Sequence, residues 1–250
     1  MEAFKHMSQR VGVVMGGWGE EREISLVTGE AMAAALEARG HTVLRITVGP
    51  GVDRALRSAS LDVAVLALHG RGGEDGKVQG LLELLGVPYT GSGVLASALA
   101  MNKPMAKKLF RLHNLPTPMG YCVGLADASR ALALHGDLGF PCVVKPARGG
   151  SSVGLSRVNA PEGLVSAVER ACHFGGEALV ERLARGREVT VGVLGDEVLG
   201  SCEIATPREG FDYDAKYKGG SRYFVPARLS STRLANVEAL ALAAYRALGC

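Results

Sequence analysis

The first hundred residues alternate between apolar runs and apolar stripes at helical spacing. Residues 11–15, Val-Gly-Val-Val-Met, predict a strand buried on both faces, and the polar, glycine-rich stretch 16–23 predicts a loop. A helix is expected over 25–39, closed by Gly40 at its C-terminal cap. Residues 42–48 read as a second strand, 53–59 as a short helix and the wholly apolar 61–68 as a third strand ending at His69. Strand alternating with helix implies a parallel sheet, and ligand groups gather at the carboxyl ends of such strands. The segments 16–21 and 69–76 both occupy strand ends and are expected to face one crevice.

Beyond residue 94 the pattern changes. Helical spacing over 94–113 is interrupted near Asn102 and Pro104, and Pro116 and Pro118 resist regular structure, which predicts a boundary at 115–118. A helix at 129–135, a strand leading to Lys145, a strand at 153–158 and a helix at 161–172 follow. Strands at 178–183, 188–194 and 198–205, separated by turns such as Gly195-Asp196, read as antiparallel. The order therefore shifts from α/β to α+β. Residues 206–221 form a long polar segment suited to a lid or binding loop, and 231–248 predicts a last helix with Leu234, Val237, Ala241, Tyr245 and Leu248 on one face.

Composition narrows the function classes. Of 250 residues 47% are apolar and only 5% aromatic, enough for a core of Ala, Val and Leu. A formal charge of +3 without a Lys/Arg block gives no support to a nucleic-acid partner. The five cysteines, at 122, 142, 172, 202 and 250, contain no Cys-x-x-Cys, which argues for reduced thiols in a cytoplasmic protein over a zinc site or disulfide framework. No apolar run reaches membrane-spanning length, and the first ten residues lack the apolar segment of an export signal.

The chemistry concentrates in FPCVVKPARGGSSVG, residues 140–154. An apolar strand delivers Lys145 to a loop in which Gly149, Gly150, Ser151 and Ser152 offer backbone N–H groups and hydroxyls without bulk, as anionic oxygen requires. Common phosphate fingerprints fail. The stretch 72–77 has the wrong spacing for a Walker loop, and Gly91-Ser92-Gly93-Val94-Leu95-Ala96 lacks the acidic residue about 20 positions on that a dinucleotide ribose needs. A nucleotide would have to be held by another grip.

Taken together, HGRGGEDGKVQG at 69–80, GVPYTGSG at 86–93, KPARGGSSVG at 145–154 and FDYDAKY at 211–217 resemble the D-alanine:D-alanine ligases of bacterial cell-wall synthesis, members of the ATP-grasp enzymes. The resemblance is ordered from Val11 to Cys250. It implies an N-terminal parallel-sheet (pre-ATP-grasp) domain at 11–100, an ATP-grasp central subdomain at 101–186 and a C-terminal ATP-grasp subdomain, incomplete, at 187–250. The implied reaction uses ATP to phosphorylate the carboxylate of one D-alanine; the amine of a second then displaces phosphate to give the dipeptide for peptidoglycan precursors.

The resemblance assigns roles. Lys103 and Lys145 match the lysines on the α- and β-phosphates, Lys216 the one that closes over the γ-phosphate, Glu181 the contact to the adenine amino group and Glu188 the contact to the ribose hydroxyls; Ser152 and Leu183 complete the ATP-binding set. Without it, Glu181 and Glu188 would read as strand-edge charges. Glu21 suits the substrate ammonium, His69 lies near the first substrate, and Glu21, Ser151 and Tyr217 are implied to form one hydrogen-bonded set. Glu74 is expected to orient its loop. The Lys216-Tyr217 pair favours the dipeptide over the D-lactate product of related ligases. A cytoplasmic homodimer with ATP and D-alanine as small-molecule partners, and no nucleic acid or membrane, is the expected setting.

The family holds two Mg2+ or Mn2+ ions on an aspartate and a Glu-x-Asn pair, and neither follows the last helix, where Glu238 is the only acidic residue after Asp214. The expectation from sequence is a chain cut short at its C-terminus and inactive as written, with no metal ligands of its own. Two other readings are a non-catalytic nucleotide-binding remnant and an ATP-grasp ligase for another substrate such as D-lactate.

Overall fold

A computed structural model describes residues 8–19, 21–206 and 220–250, and the chain divides into two compact units, Met1–Met101 and Asn102–Cys250. In the first, β1 (Arg10–Gly16) lies between β2 (Thr42–Val48) and β3 (Val63–Leu66), parallel to both. Its run of small apolar residues fits this central place, because successive side chains alternate between two covered faces. Val13 and Met15 pack with Ala33 of α1 (Arg22–Ala38), whereas Val14 packs with Leu56 of α2 (Val52–Ala59) and Val78 and Leu82 of α3 (Lys77–Leu84). Helix α4 (Val94–Met101) closes the unit.

The third strand is shorter than 61–68, because the Ala67 carbonyl is taken by the hydroxyl of Ser25 at 2.7 Å instead of by a neighbouring strand. Helix α3 is an addition to the expected elements: its Val78, Leu81 and Leu82 have helical spacing and follow directly on the glycine motif at 69–76.

In the second unit α5 (Lys103–Leu112) begins at Asn102, whose side chain accepts from Met105 N at 3.3 Å, and Pro104 occupies the first turn. A four-stranded antiparallel sheet runs β4 (Gly120–Gly124), β7 (Glu177–Arg182), β5 (Cys142–Pro146), β6 (Ser156–Val158). Cys142, Val144, Ala178 and Val180 point to the face covered by α7 (Leu164–Gly175). By the same alternation Lys145 and Glu181 share the opposite face, in diagonal positions, with Val143 opposite Glu181 and Lys145 opposite Leu179. A short α6 (Ala131–His135) precedes β5. The expected strand at 153–158 keeps only its last three residues, since 151–154 turn, and the expected helix at 129–135 begins as a 3-10 turn.

The second sheet is β10 (Arg222–Phe224), β9 (Glu197–Ala205), β8 (Glu188–Leu194), antiparallel throughout, with α8 (Ser231–Leu248) packed on β8 and β9. The three strands 178–183, 188–194 and 198–205 are thus divided between two sheets, because β7 is inserted between β4 and β5. The 115–118 stretch lies inside the second unit, tied by Lys107, which donates to Thr117 Oγ1 at 2.9 Å and to the Pro118 carbonyl.

Gly29 in mid-α1 is where helix meets sheet: a Cβ there would stand 2.7 Å from Met15 Cβ and 2.8 Å from its Sδ. Gly29→Ala would gain about 0.5–1 kcal/mol at an unobstructed helical position. Here it is expected to cost about 1–3 kcal/mol, because the obstructing Cβ is fixed to the central strand. Equilibrium urea unfolding gives the sign directly.

Candidate active site

Each unit holds a constellation of its own. In the first, Ser25 donates to Ala67 O and accepts from Gly16 N at 2.8 Å, so one fully buried hydroxyl joins the carboxyl ends of β1 and β3. The loops leaving those ends carry Glu21 and His69. Gly70, at φ +61°, follows His69, and a Cβ on it would stand 2.1 Å from Glu21 Oε2, so only glycine allows that carboxylate to lie against the His69–Gly70 backbone. Glu21 is buried. His69 Nε2 is 3.3 Å from Thr28 Oγ1, whose hydrogen goes to Ile24 O at 2.9 Å, which makes Nε2 the donor. Glu74 accepts from Gly70 N at 2.8 Å, and Asp75 from Gly72 N at 3.0 Å, while Gln79 donates to Gly73 O at 2.7 Å. Glu74 therefore orients its loop through backbone hydrogen bonds.

The second constellation surrounds the end of β5. Lys103 Nζ donates to Pro146 O at 3.0 Å and to Gly149 O at 2.8 Å, and its backbone N–H donates to Ala147 O at 3.0 Å. The start of α5 is thereby stitched to 146–149, one residue past Lys145. The loop continues through Gly149, Ser151, Ser152 and Gly154, all left-handed, with φ of +109°, +47°, +59° and +70°. Left-handed serines cost on the order of 1–3 kcal/mol each and persist where the surroundings impose them, commonly at ligand sites. Part of that imposition is visible: Gly154 packs so tightly that a Cβ would meet the Phe174 ring at 2.6 Å.

Glu181 is the electrostatic centre of this unit. Its buried carboxylate pairs with Lys145 through one oxygen and Lys107 through the other. Burial pushes the carboxyl up, but the charge of Lys145 and the hydrogen bonds from both lysines outweigh it and hold Glu181 below the ordinary carboxylate range. Gly120, directly opposite on β4, is required here, since a Cβ would stand 2.3 Å from Val180 O. The strand-edge reading of Glu181 is overturned: β7 is an inner strand. Lys107 was missed altogether. Followed by Lys108 in an amphipathic helix, it carries no local mark of burial.

Of the other assigned residues, Leu183 is half-buried just past β7, and its N–H reaches Pro141 O at 3.4 Å. Glu188 is exposed at the start of β8. Near it, Glu203 on β9 accepts from Arg228 Nη2 at 2.8 Å, Nε at 3.1 Å and backbone N at 3.0 Å, and Arg228 stacks 3.5 Å from the Phe224 ring centroid. Arg187 adds a second ion pair at 3.4 Å. This cluster fastens the strands on either side of residues 206–221. Lys216 and Tyr217 lie outside the described residues, and so therefore does part of the implied Glu21, Ser151, Tyr217 set. Among the described residues no group of three or more His, Cys, Asp or Glu could hold a metal ion, so these side chains do not fit a two-ion site.

A parallel-sheet unit followed by antiparallel sheets with paired lysines at a glycine/serine loop defines the ATP-grasp class of mixed α/β enzymes, and solved structures agree. The D-alanine–D-alanine ligase of Bacillus anthracis is similar at a TM-score of 0.84 and 36% identity, covering 97% of this chain and 80% of that one. The same enzyme complexed with ATP gives 0.79 and 34%, over 98% and 79%. The family models for the D-ala D-ala ligase N-terminus and C-terminus match residues 48–92 and 124–250. The D-alanine–D-alanine ligase of Geobacter sulfurreducens is 46% identical over 96% of this chain and 76% of its own length, and that of Methylorubrum extorquens 47% over 98% and 80%. The chain belongs to the D-alanine–D-alanine ligase family.

Arg228 holds the Glu203 carboxyl, by hydrogen bonds that outweigh burial, down to about 2 against an ordinary 4.5. A depressed carboxylate contributes stability above its unfolded value and loses it as pH falls through the folded one. The stability difference between the unsubstituted chain and Glu203→Gln should therefore be full above pH 4.5 and fade toward pH 2. Denaturant titrations at a series of pH values read it; a difference that stays constant across that window would contradict the assignment.

Proposed function

We propose that this protein joins two D-alanines at the expense of ATP, through an acyl phosphate, as a step toward peptidoglycan precursors. The observation that carries the reading is the convergence of Lys103 and Lys145 on the strand–loop junction at 145–149, with Lys103 already bound to two of its carbonyls. A triphosphate brings about four negative charges, and phosphoryl transfer depends on positive groups arranged before the reaction. Lys103 and Lys145 supply two such groups, and the small residues 149–152 leave backbone and hydroxyl donors close to them.

In this reading Lys145 answers the inner phosphates, Ser152 and Leu183 line the nucleotide, Glu181 meets the adenine amino group and Glu188 the ribose. Glu21 takes the substrate ammonium, with His69 beside it; its burial strengthens such a pair, since a charge contact worth about 1 kcal/mol in water is worth about 4 at an effective dielectric near 20. Ser151 and Tyr217 orient the amino acid, and Lys216 answers the γ-phosphate. Ser151 has no nucleophilic part, since the substrate carboxylate receives the phosphoryl group. Divalent cations, Mg2+ or Mn2+, would neutralise the transferred group; none of the described residues is assigned to them. The subdivision at 101–186 and 187–250, a cytoplasmic location and a homodimeric assembly complete the reading, the location favoured by five free cysteines.

Calorimetric titration with ATP and D-alanine-dependent phosphate release test the two halves separately. Lys145→Met is expected to weaken ATP binding at least about tenfold, roughly 1.4 kcal/mol. Phosphate release that responds to D-lactate or another acid but not to D-alanine would replace the substrate assignment.

A further inference from the structure

Lys107 is the only buried lysine among the described residues, and none of the roles above uses it. Its ammonium has three N–H donors and meets three acceptors, Thr117 Oγ1, the Pro118 carbonyl and Glu181 Oε1, so it is fully committed. Lys145 shares the same carboxylate through the other oxygen but is more accessible, its side chain 27% exposed against 7% for Lys107. Of the two cations only Lys145 stands next to the 146–149 loop. A phosphate that draws Lys145 away leaves Glu181 with Lys107 alone.

We propose that Lys107 is a positioning residue for nucleotide binding: it stays on Glu181 and keeps that carboxylate charged and in place when Lys145 turns to a phosphate. The inference rests on the reading of Lys145 as an ATP contact. A buried carboxylate stripped of every cation either costs several kcal/mol or takes up a proton. The other titratable groups near Glu181 do not replace Lys107. Cys122 on β4 has its thiol pushed up by burial and stays neutral, while Glu177 on β7 and Lys108 on α5 act on Cys122.

The test is the proton count of ATP binding, read by calorimetry in buffers of different ionisation heat. In Lys107→Met, ATP affinity at about pH 8.5 should fall roughly tenfold or more and recover toward about pH 6.5, with close to one extra proton taken up per ATP. Adding Glu181→Gln should abolish that extra uptake, which a merely structural role would not predict. A cooperatively melting Lys107→Met chain with ordinary affinity and no extra proton overturns the proposal. Should Lys107→Met fail to fold, the unsubstituted chain decides: an uptake near pH 8 that Glu181→Gln removes means Lys107 does not keep the carboxylate charged, whereas equal counts support it. Absence of ATP binding, or binding indifferent to Lys145→Met, instead overturns the parent reading and the proposal with it.

Discussion

Burying one carboxylate constrains much of the second unit. Removing Glu181 from water costs several kcal/mol unless cations and hydrogen bonds compensate, and the compensation has to come from elements that sequence does not place side by side. Lys145 arrives from β5 by strand alternation, and Lys107 from α5, which must therefore lie over the face away from α7. Gly120 keeps β4 close enough to cover that carboxylate. The same α5 brings Lys103 to the loop at its N-terminal end. One helix thus supplies a cation to the sheet and another to the loop, and their separation by a single helical turn fixes how far the loop stands from Glu181.

The first unit solves a different problem. Its loops hold Glu21 and His69 with backbone N–H groups of Gly70 and Gly72 that donate to the Glu74 and Asp75 carboxylates, Asp75 being paired with Lys77 as well, and with a glycine where any side chain would displace the Glu21 carboxylate. Ser25 makes the arrangement depend on the sheet: by linking Gly16 N to Ala67 O it ends both strands at the same level, so the two loops begin together. Sheet geometry there decides where a negative charge is displayed, whereas in the second unit charge compensation decides how sheet and helix pack.

These two logics explain what the sequence disclosed. Parallel strands, the break at Asn102, the Lys145 strand end and the last helix are local in origin, set by apolar periodicity, a cap and prolines. Glu181 and Lys107 are not local. Whether a glutamate ends an edge strand or an inner one depends on a partner many residues away, and EALVER has the same alternation in either place. Lys107 and Lys108 are adjacent and alike in sequence; only the helix's placement against the sheet buries one and exposes the other. Helix α3 is hidden for a simpler reason: at eight residues its apolar spacing spans too few turns to stand out.

Burial also ranks the cations by the work each can do. A lysine whose three donors are all engaged, one of them by a buried carboxylate, cannot follow a ligand without leaving that carboxylate a partner short, at about 1–3 kcal/mol or more. A lysine with solvent access on one side can exchange one anion for another at far smaller cost. Lys107 belongs to the first kind and Lys145 to the second, although both grip the same carboxylate. The asymmetry gives the pair a direction: the carboxylate serves as the resting partner of the accessible lysine and the permanent partner of the buried one. A site built from two equally accessible lysines would bind phosphate by exposing Glu181. This one can do so while keeping it paired.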